Sequence, residues 1–288
     1  MKTPRQSARR PSLTSSDALL GAIREKQSFL CVGLDPDPAQ IPACFGTGVA
    51  AMEAFCKAVV EVTLPYAVAY KPNLAFFEQY GAEGWAAMER VVDHIPSNVL
   101  CIADAKRGDI GNTAARYAKA LFWGLGADAV TVAPYMGRDS VEPFTSFADR
   151  WTILLALTSN PSADDFELQG SPPLYERVLA MSKTFEGSDR LMYVVGATRP
   201  ESLARVRELV PDAFLLVPGV GAQGGTVEAV AKHGMNDRVG LLVNSSRGIL
   251  QAGNQEETMD EVLEQVALAA ERLAGEMRAL LEARGWGV

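Results

Sequence analysis

The chain has 288 residues, of which 48% are hydrophobic, and a formal net charge of −8. A chain of this length and composition can bury a large core, and its negative charge argues against a nucleic-acid-binding surface. No stretch approaches the roughly 18 uninterrupted apolar residues of a membrane-spanning helix, so we expect no membrane partner either.

Residues 1–15 are basic, polar and rich in Pro and Ser, and no apolar signal core follows them. This composition predicts a disordered N-terminal tail, with the folded unit over residues 16–288. The four cysteines lack metal-ligand spacing, and a chain of this length needs no disulfides. Reduced thiols in the cytoplasm are therefore the expected state.

Eight short runs along the chain are apolar at consecutive positions rather than at alternate ones. Such runs are typical of strands buried on both faces, as in a parallel sheet. They cover residues 29–34, 67–71, 99–104, 129–133, 152–157, 191–196, 213–218 and 239–244. The segments between them carry apolar residues three and four positions apart, which predicts helices.

Buried strands that alternate with helices eight times, in roughly the 250 residues typical of the fold, predict a single-domain α/β protein, a (β/α)₈ TIM barrel. An open doubly wound sheet would have similar strands, but the first strand leads into GLDPDP and not into the G-x-G-x-x-G of a dinucleotide site. The periodic stretch from Glu257 onward predicts the eighth barrel helix with a helical extension.

Polar side chains follow the predicted strands at the end of the barrel that carries the active site in this fold. In chain order they are Asp35, Lys71, Asp104, Lys106, Asp109, Ser159, Gln223 and Arg247. Polar loops alone explain poorly why a lysine ends the apolar run AVAYK, because lysine is seldom buried without a partner.

Asp104 and Lys106 are two positions apart, so on an extended strand they point the same way, with Cα atoms about 6.6 Å apart. If Lys71 from the neighbouring strand and Asp109 after the turn join them, a Lys–Asp–Lys–Asp cluster results in which opposite charges hold one another. Two interpretations remain open. The cluster is either a buried salt-bridge network of the fold or a preorganised charge array for electrostatic catalysis.

The Gly-rich segment 218–226 and the turn NSSRG at 244–248 follow the seventh and eighth strands. Those loops frequently bind phosphate in this fold, and Arg247 would add a bidentate charged contact. Such a local cluster would attract an anion in spite of the net negative charge. A flexible surface loop is the alternative interpretation of the glycines.

The segments DAKRGDIGNTA, YKPNLAFFEQYG, TSNPSADDF, PGVGAQGG and NSSRGIL resemble the orotidine 5′-phosphate decarboxylase family, most closely its longer bacterial branch. The resemblance covers roughly residues 28–275. It implies conversion of orotidine 5′-phosphate to UMP and CO₂, the last step of UMP synthesis. It also implies a homodimer of barrels that uses no metal or organic cofactor.

The resemblance further implies a role for each polar residue. Lys106 would protonate C6 of the pyrimidine, Asp104 would lie beside the substrate carboxylate, and Lys71 would contact the ribose. Asp109 and Thr113 would reach into the active site of the partner subunit. The other implied contacts are Asp35 with a ribose hydroxyl, Ser159 with the pyrimidine amide edge, Gln223 between base and phosphate, and Arg247 with phosphate.

Three other functions compete with this one. A Mg²⁺-dependent decarboxylase of 3-keto-sugar phosphates in the same superfamily shares Asp-x-Lys-x-x-Asp but has an acidic residue in the place of Lys71. A silent phosphate-binding barrel would not need all four charged residues of the cluster. A Schiff-base aldolase needs a neutral lysine, whereas the aspartates that flank Lys106 favour the ammonium form.

Overall fold

The computed structural model describes residues 12–221, 224–254 and 256–287. Within them, parallel strands pair in chain order and the last strand pairs with the first, which closes a barrel. The strands are β1 (Leu30–Leu34), β2 (Ala67–Pro72), β3 (Leu100–Arg107), β4 (Ala129–Val132), β5 (Trp151–Leu157), β6 (Leu191–Val195), β7 (Leu215–Pro218) and β8 (Leu241–Ser245). The predicted (β/α)₈ TIM barrel is confirmed, and every predicted run forms a strand.

The strands are apolar at consecutive positions because neither face of the sheet meets water. β1, β2, β4 and β6 are buried at every position. Inward side chains fill the barrel, and outward side chains pack beneath the helices.

Amphipathic helices cover the outside of the barrel and connect its strands. They are α1 (Ser16–Lys26), α2 (Gly48–Thr63), α3 (Leu74–Glu78), α4 (Gly81–His94), α5 (Gly111–Lys119), α6 (Arg138–Thr145), α7 (Ala163–Phe166), α8 (Leu174–Ser182), α9 (Pro200–Leu209), α10 (Val227–Gly234), α11 (Arg247–Leu250) and α12 (Met259–Ala283). Nowhere in the described ranges is a helix both long enough and apolar enough to cross a membrane.

The sequence predicted that the folded unit begins at residue 16, but the packed chain begins earlier. Leu13 is buried, and its carbonyl oxygen accepts a hydrogen bond of 2.7 Å from Trp151 Nε1 at the start of β5. The hydroxyl of Ser15 accepts a hydrogen bond from the Ala18 N–H and caps α1. The rest of the predicted tail, residues 1–11, lies outside the described residues.

The C-terminal helix α12 is continuous over 25 residues. It begins with a capping box, in which the Thr258 hydroxyl accepts from the Glu261 N–H and the Glu261 carboxylate accepts from the Thr258 N–H. α12 packs against α2, and Trp286 beyond its end lies 4.4 Å from the guanidinium of Arg24 on α1. The C-terminal helix therefore ties the two ends of the described chain together.

Arg207 joins α9 to three other segments at the end of the barrel opposite to the polar residues. Its guanidinium donates hydrogen bonds of 2.7–3.1 Å to the backbone carbonyl oxygens of Val210, Pro211, Ala213, Gly234 and Gly240. These carbonyls belong to the end of α10 and to the loops that lead into β7 and β8. Burial lowers the pKa of Arg207 to about 10, although the carboxylate of Asp212 acts in the opposite direction.

We expect Arg207→Met to lower the free energy of unfolding by about 3 kcal/mol, because it leaves several part-buried carbonyl oxygens without a donor. Thermal and urea denaturation measure the change. The matched control is Arg205→Met on the same helix, whose exposed guanidinium bonds Glu176 and Glu208 and whose removal should matter much less. Equal losses from the two variants would contradict the role assigned to Arg207.

Candidate active site

Six of the predicted polar residues converge at the carboxyl ends of the strands, around two adjoining cavities. One cavity has a volume of about 340 Å³ and is lined by Lys71, Asp104, Lys106 and Ser159, among others. The other has a volume of about 200 Å³ and is lined by Asp35, Lys71, Asp104 and Arg247, among others. Lys71 and Asp104 line both, so the two cavities form one continuous site.

The carboxylate of Asp104 lies between two ammonium groups. Its Oδ2 accepts a hydrogen bond of 2.6 Å from Lys71 Nζ, and its Oδ1 accepts one of 2.6 Å from Lys106 Nζ. Asp104 and Lys71 are 8% and 5% exposed, whereas the Lys106 side chain is 51% exposed. The charges of the buried Asp104 and Lys71 thus compensate each other, and the side chain of Lys106 stays partly open to the cavity.

The pKa values of the buried pair move in opposite directions. Burial alone would lower the pKa of Lys71, but the carboxylates of Asp104 and Asp35 outweigh burial and raise it. Burial alone would raise the pKa of Asp104, but Lys71 and Lys106 outweigh burial and lower it. The two groups therefore stay charged together throughout the neutral range.

These shifts also determine how the pair contributes to stability at different pH values. The contribution of Asp104 is present above the ordinary aspartate pKa and is lost as the pH falls through its lower folded value. The contribution of Lys71 is present below the ordinary lysine pKa and is lost as the pH rises through its higher folded value. Both contributions are complete between about pH 5 and pH 9.

Lys106 lies within β3, but its backbone is not extended as the sequence predicted. Its φ is +44°, in the left-handed region that a lysine rarely adopts. The cause is an irregularity in the pairing of β3 with β4, where the register shifts between Ala103 and Arg107. Asp104 and Lys106 still meet through their side chains, although the backbone between them is bent.

Asp35, at the end of β1, approaches the cluster from the other side. Its Oδ1 lies 3.9 Å from Lys71 Nζ and is buried without a hydrogen-bond partner among the described residues. A buried carboxylate oxygen without a donor is costly. It is therefore positioned to accept a hydrogen bond from a hydroxyl group of a ligand.

The larger cavity combines apolar walls with polar groups on one side. Leu155, Val194 and Leu216 supply the apolar walls from β5, β6 and β7. Thr158 and Ser159 follow β5 on the polar side. This combination suits a flat heterocyclic ring, whose faces need apolar contact and whose edge needs hydrogen bonds.

The loop after β5 is held in place from two directions. Glu167 accepts hydrogen bonds from the Thr158 N–H at 2.6 Å and from the Thr158 hydroxyl at 2.9 Å. At the end of β6, a Cβ on Gly196 would lie 2.8 Å from Ser159 Cα, so only glycine permits this close approach. Ser159 thus lines the larger cavity.

Arg247 lines the smaller cavity, where it begins the short helix α11 directly after β8. The neighbouring Ser246 packs against Gly33 so closely that a Cβ there would lie 1.8 Å from Ser246 Oγ. Two carboxylates, of Asp35 and Asp104, face two ammonium groups and one guanidinium around the joined cavities. The site therefore carries a local positive excess, which favours an anionic ligand.

Two predicted residues, Asp109 and Thr113, do not enter the site of this single chain, and a third is not described. The carboxylate of Asp109 accepts a hydrogen bond of 2.8 Å from the Ile110 N–H and makes no ion pair with the described lysines. Thr113 is exposed on α5. Gln223 lies outside the described residues. Within one chain, the predicted cluster therefore contains Lys71, Asp104 and Lys106 but not Asp109.

Thr131, which is buried on β4 beside the charged residues, was not among the site residues predicted from the sequence. Its hydroxyl donates a hydrogen bond of 3.0 Å to Asp104 Oδ1. The available signal was a single polar residue within the apolar run AVTVA. The apolar lining by Leu155, Val194 and Leu216 was also missed, because inward-facing residues of a barrel strand look like any other core residues.

A divalent cation does not fit this arrangement well. Both oxygens of Asp104 are taken by ammonium groups, so a cation that used this carboxylate would have to displace Lys71 or Lys106. In the part of the chain that the structure describes, no three Asp, Glu, His or Cys side chains are grouped to hold a metal ion. The donor set favours an organic anion as ligand.

Comparisons with known proteins identify relatives of this chain. A protein of Flavobacterium johnsoniae named orotidine 5′-phosphate decarboxylase is 50% identical over 257 residues, which cover 88% of this chain and 94% of the relative. One of the same name from Christiangramia forsetii is 49% identical over 273 residues, or 93% and 99% of the two chains. The structure of Leishmania donovani OMP decarboxylase has a TM-score of 0.79 at 39% identity and covers 92% of this chain and 98% of that one.

The model of one protein family, described as orotidine 5′-phosphate decarboxylase / HUMPS, matches residues 28–262, from the strand that precedes Asp35 to the beginning of α12. All of the site residues discussed above lie within that range. The chain therefore belongs to the orotidine 5′-phosphate decarboxylase / HUMPS family.

Proposed function

We propose that this chain converts orotidine 5′-phosphate to UMP and CO₂ without a metal ion. The observation that carries the proposal is the carboxylate of Asp104 between Lys71 and Lys106, next to a cavity suited to a heterocyclic ring. The names of the relatives support the same reaction.

The chemical difficulty of this reaction is the carbanion left at C6. Loss of CO₂ leaves an electron pair in an sp² orbital that the π system of the ring cannot delocalise. Stabilisation must therefore come from a positive charge close to C6. We assign that charge to the Lys106 ammonium, which also donates the proton that completes UMP.

Fixed charges are more effective here than mobile ones. The Lys106 ammonium is bound to Asp104 at 2.6 Å before any substrate arrives, so it needs little reorganisation as charge develops at C6. Lys71 neutralises the second oxygen of the same carboxylate. We assign to Lys71 and Asp35 the additional task of binding the ribose hydroxyls.

We place the substrate phosphate at Arg247, in the smaller cavity. The negative charge of the phosphate would balance the local positive excess there. Gln223 would bridge this phosphate and the base. Binding energy from the phosphate, which is remote from C6, is then available to hold the ring against Lys106. Ser159 would read the amide edge of the pyrimidine from the loop after β5.

We further propose that two copies of the chain form a dimer in which Asp109 and Thr113 complete the partner's site. Asp109 makes no ion pair with a described lysine, and exposed apolar side chains lie near it. Ile110 is 59% exposed, and Tyr135 in the adjoining loop after β4 is 84% exposed. The exposure of these apolar side chains supports an interface with a second copy at this rim.

Three thiols buried in the fold, of Cys31, Cys56 and Cys101, support a reducing compartment such as the cytoplasm.

The proposed reaction can be tested directly by ultraviolet absorbance. Purified protein in excess EDTA is mixed with orotidine 5′-phosphate, and loss of the orotate chromophore with formation of UMP is the expected result. Turnover that needs added Mg²⁺ would identify a metal-dependent relative instead. Absence of turnover under both conditions would leave a phosphate-binding barrel and contradict the proposal.

We expect Lys106→Ala to reduce kcat by about 10⁴-fold, because the variant lacks both the positive charge and the proton donor at C6. Its affinity for UMP, measured by isothermal titration calorimetry, should remain measurable. Lys57→Ala is the matched control, since Lys57 pairs with Glu53 on α2 away from the site. Near-normal turnover by Lys106→Ala would remove Lys106 from the mechanism.

The shared site can be tested by mixing two inactive variants, Lys106→Ala and Asp109→Ala. In a mixed dimer, one of the two sites has an intact Lys106 and receives an intact Asp109 from the partner. Random exchange should then restore about a quarter of the wild-type activity. A mixture of Lys106→Ala with Asp104→Asn, both altered in the same chain's cluster, should restore none. If subunit exchange is verified but the first mixture stays inactive, Asp109 acts within its own chain.

A further inference from the structure

The pairing of β3 with β4 is interrupted where the charged residues lie. Ala103 pairs with Val130 and Arg107 pairs with Val132, so β3 advances four positions while β4 advances two. Asp104, Ala105 and Lys106 therefore face Thr131 alone on the neighbouring strand. A bulge of this kind leaves backbone N–H groups without their regular partners in the sheet.

The hydroxyl of Thr131 supplies the missing partner. It accepts hydrogen bonds of 2.9 Å from the N–H of Ala105 and 2.9 Å from the N–H of Lys106. It donates its own proton to Asp104 Oδ1 at 3.0 Å. A hydroxyl has one proton to donate and two lone pairs to accept with, so the capacity of this buried group is completely used.

Thr131 thus holds both ends of the Lys106 residue. At the backbone it binds the N–H of a lysine whose φ is +44°. At the side-chain end it binds Asp104 Oδ1, the same oxygen that accepts the hydrogen bond from Lys106 Nζ. The position of the ammonium in the cavity therefore depends on Thr131 through two separate routes.

We propose that Thr131 is a positioning residue for the decarboxylation, an inference that rests on the function proposed above. Thr131 orients the Asp104 carboxylate and the strained Lys106 backbone so that the ammonium is aimed at C6 of the substrate. Its contribution belongs to the chemical step, because the proposed phosphate and ribose contacts come from β1, β2 and β8.

The test compares three substitutions of Thr131. Thr131→Val keeps the shape of the side chain but removes all three hydrogen bonds, and we expect kcat to fall about 100-fold through misplacement of Lys106. The KM of orotidine 5′-phosphate and the Kd of UMP should change much less. Thr131→Ser restores the hydroxyl and should recover kcat to within about fivefold of wild type. If Thr131→Val does not fold, Thr131→Cys, with weaker hydrogen bonds, should still lower kcat about tenfold.

Thr152→Val is the matched control, since it is the same substitution on the next strand, β5. The Thr152 hydroxyl is buried and has no hydrogen-bond partner among the described residues. We therefore expect wild-type kcat and an unchanged or higher melting temperature.

Several outcomes separate the two proposals. If wild-type protein has no metal-free turnover, the proposed function itself fails. If wild-type protein is active but Thr131→Val, or Thr131→Cys in its place, keeps the wild-type kcat, Thr131 does not position Lys106. A fall in kcat that Thr131→Ser does not recover, or an equal loss of UMP affinity, would reduce Thr131 to a structural residue and overturn the inference.

Discussion

A buried carboxylate that accepts hydrogen bonds from two ammonium groups constrains the end of this barrel that carries the site. Asp104 and Lys71 are almost completely removed from water, and neither charge would be tolerated there alone. The pair requires β2 and β3 to lie side by side, in the register that pairs Tyr70 with Cys101, which the closed parallel sheet provides. Lys106, the third member, remains half exposed, and so the same network that satisfies the buried charges also presents one cation to a ligand.

The local irregularity of the sheet lies at the same charged residues. Between Ala103 and Arg107, β3 advances two residues further than β4, and Lys106 adopts a left-handed backbone. Such a distortion persists only where surrounding groups hold it in place. Here the hydroxyl of Thr131 does so, and the closed barrel gives the distorted strand no free edge along which to relax. Rigidity at this point is useful, because electrostatic stabilisation is strongest when the charges are already oriented.

The site is built from residues that lie far apart in the sequence and that have different tasks. The cation and its carboxylate come from β3, while the apolar walls come from β5, β6 and β7. Arg247 after β8 adds a positive charge in the adjoining cavity. The rim near Asp109 is exposed and apolar in the single chain. The charged centre is thus rigid, whereas the rim near Asp109 is open to a second copy. This difference agrees with the proposed shared site.

The amino-acid sequence by itself determined the class of fold, because strands that are apolar at consecutive positions must be buried on both faces. It also determined that Lys71, Asp104 and Lys106 would meet, since parallel strands of a barrel end at the same rim. Only the tertiary structure decided the role of Thr131, because its partners depend on a register shift between two strands that no local pattern specifies. Likewise, the composition of residues 1–15 concealed the packing of Leu13, which depends on a hydrogen bond from Trp151, a residue distant in the sequence. Periodicity records how many faces of an element are buried, but the neighbours of each side chain follow from register and closure, which exist only in the folded chain.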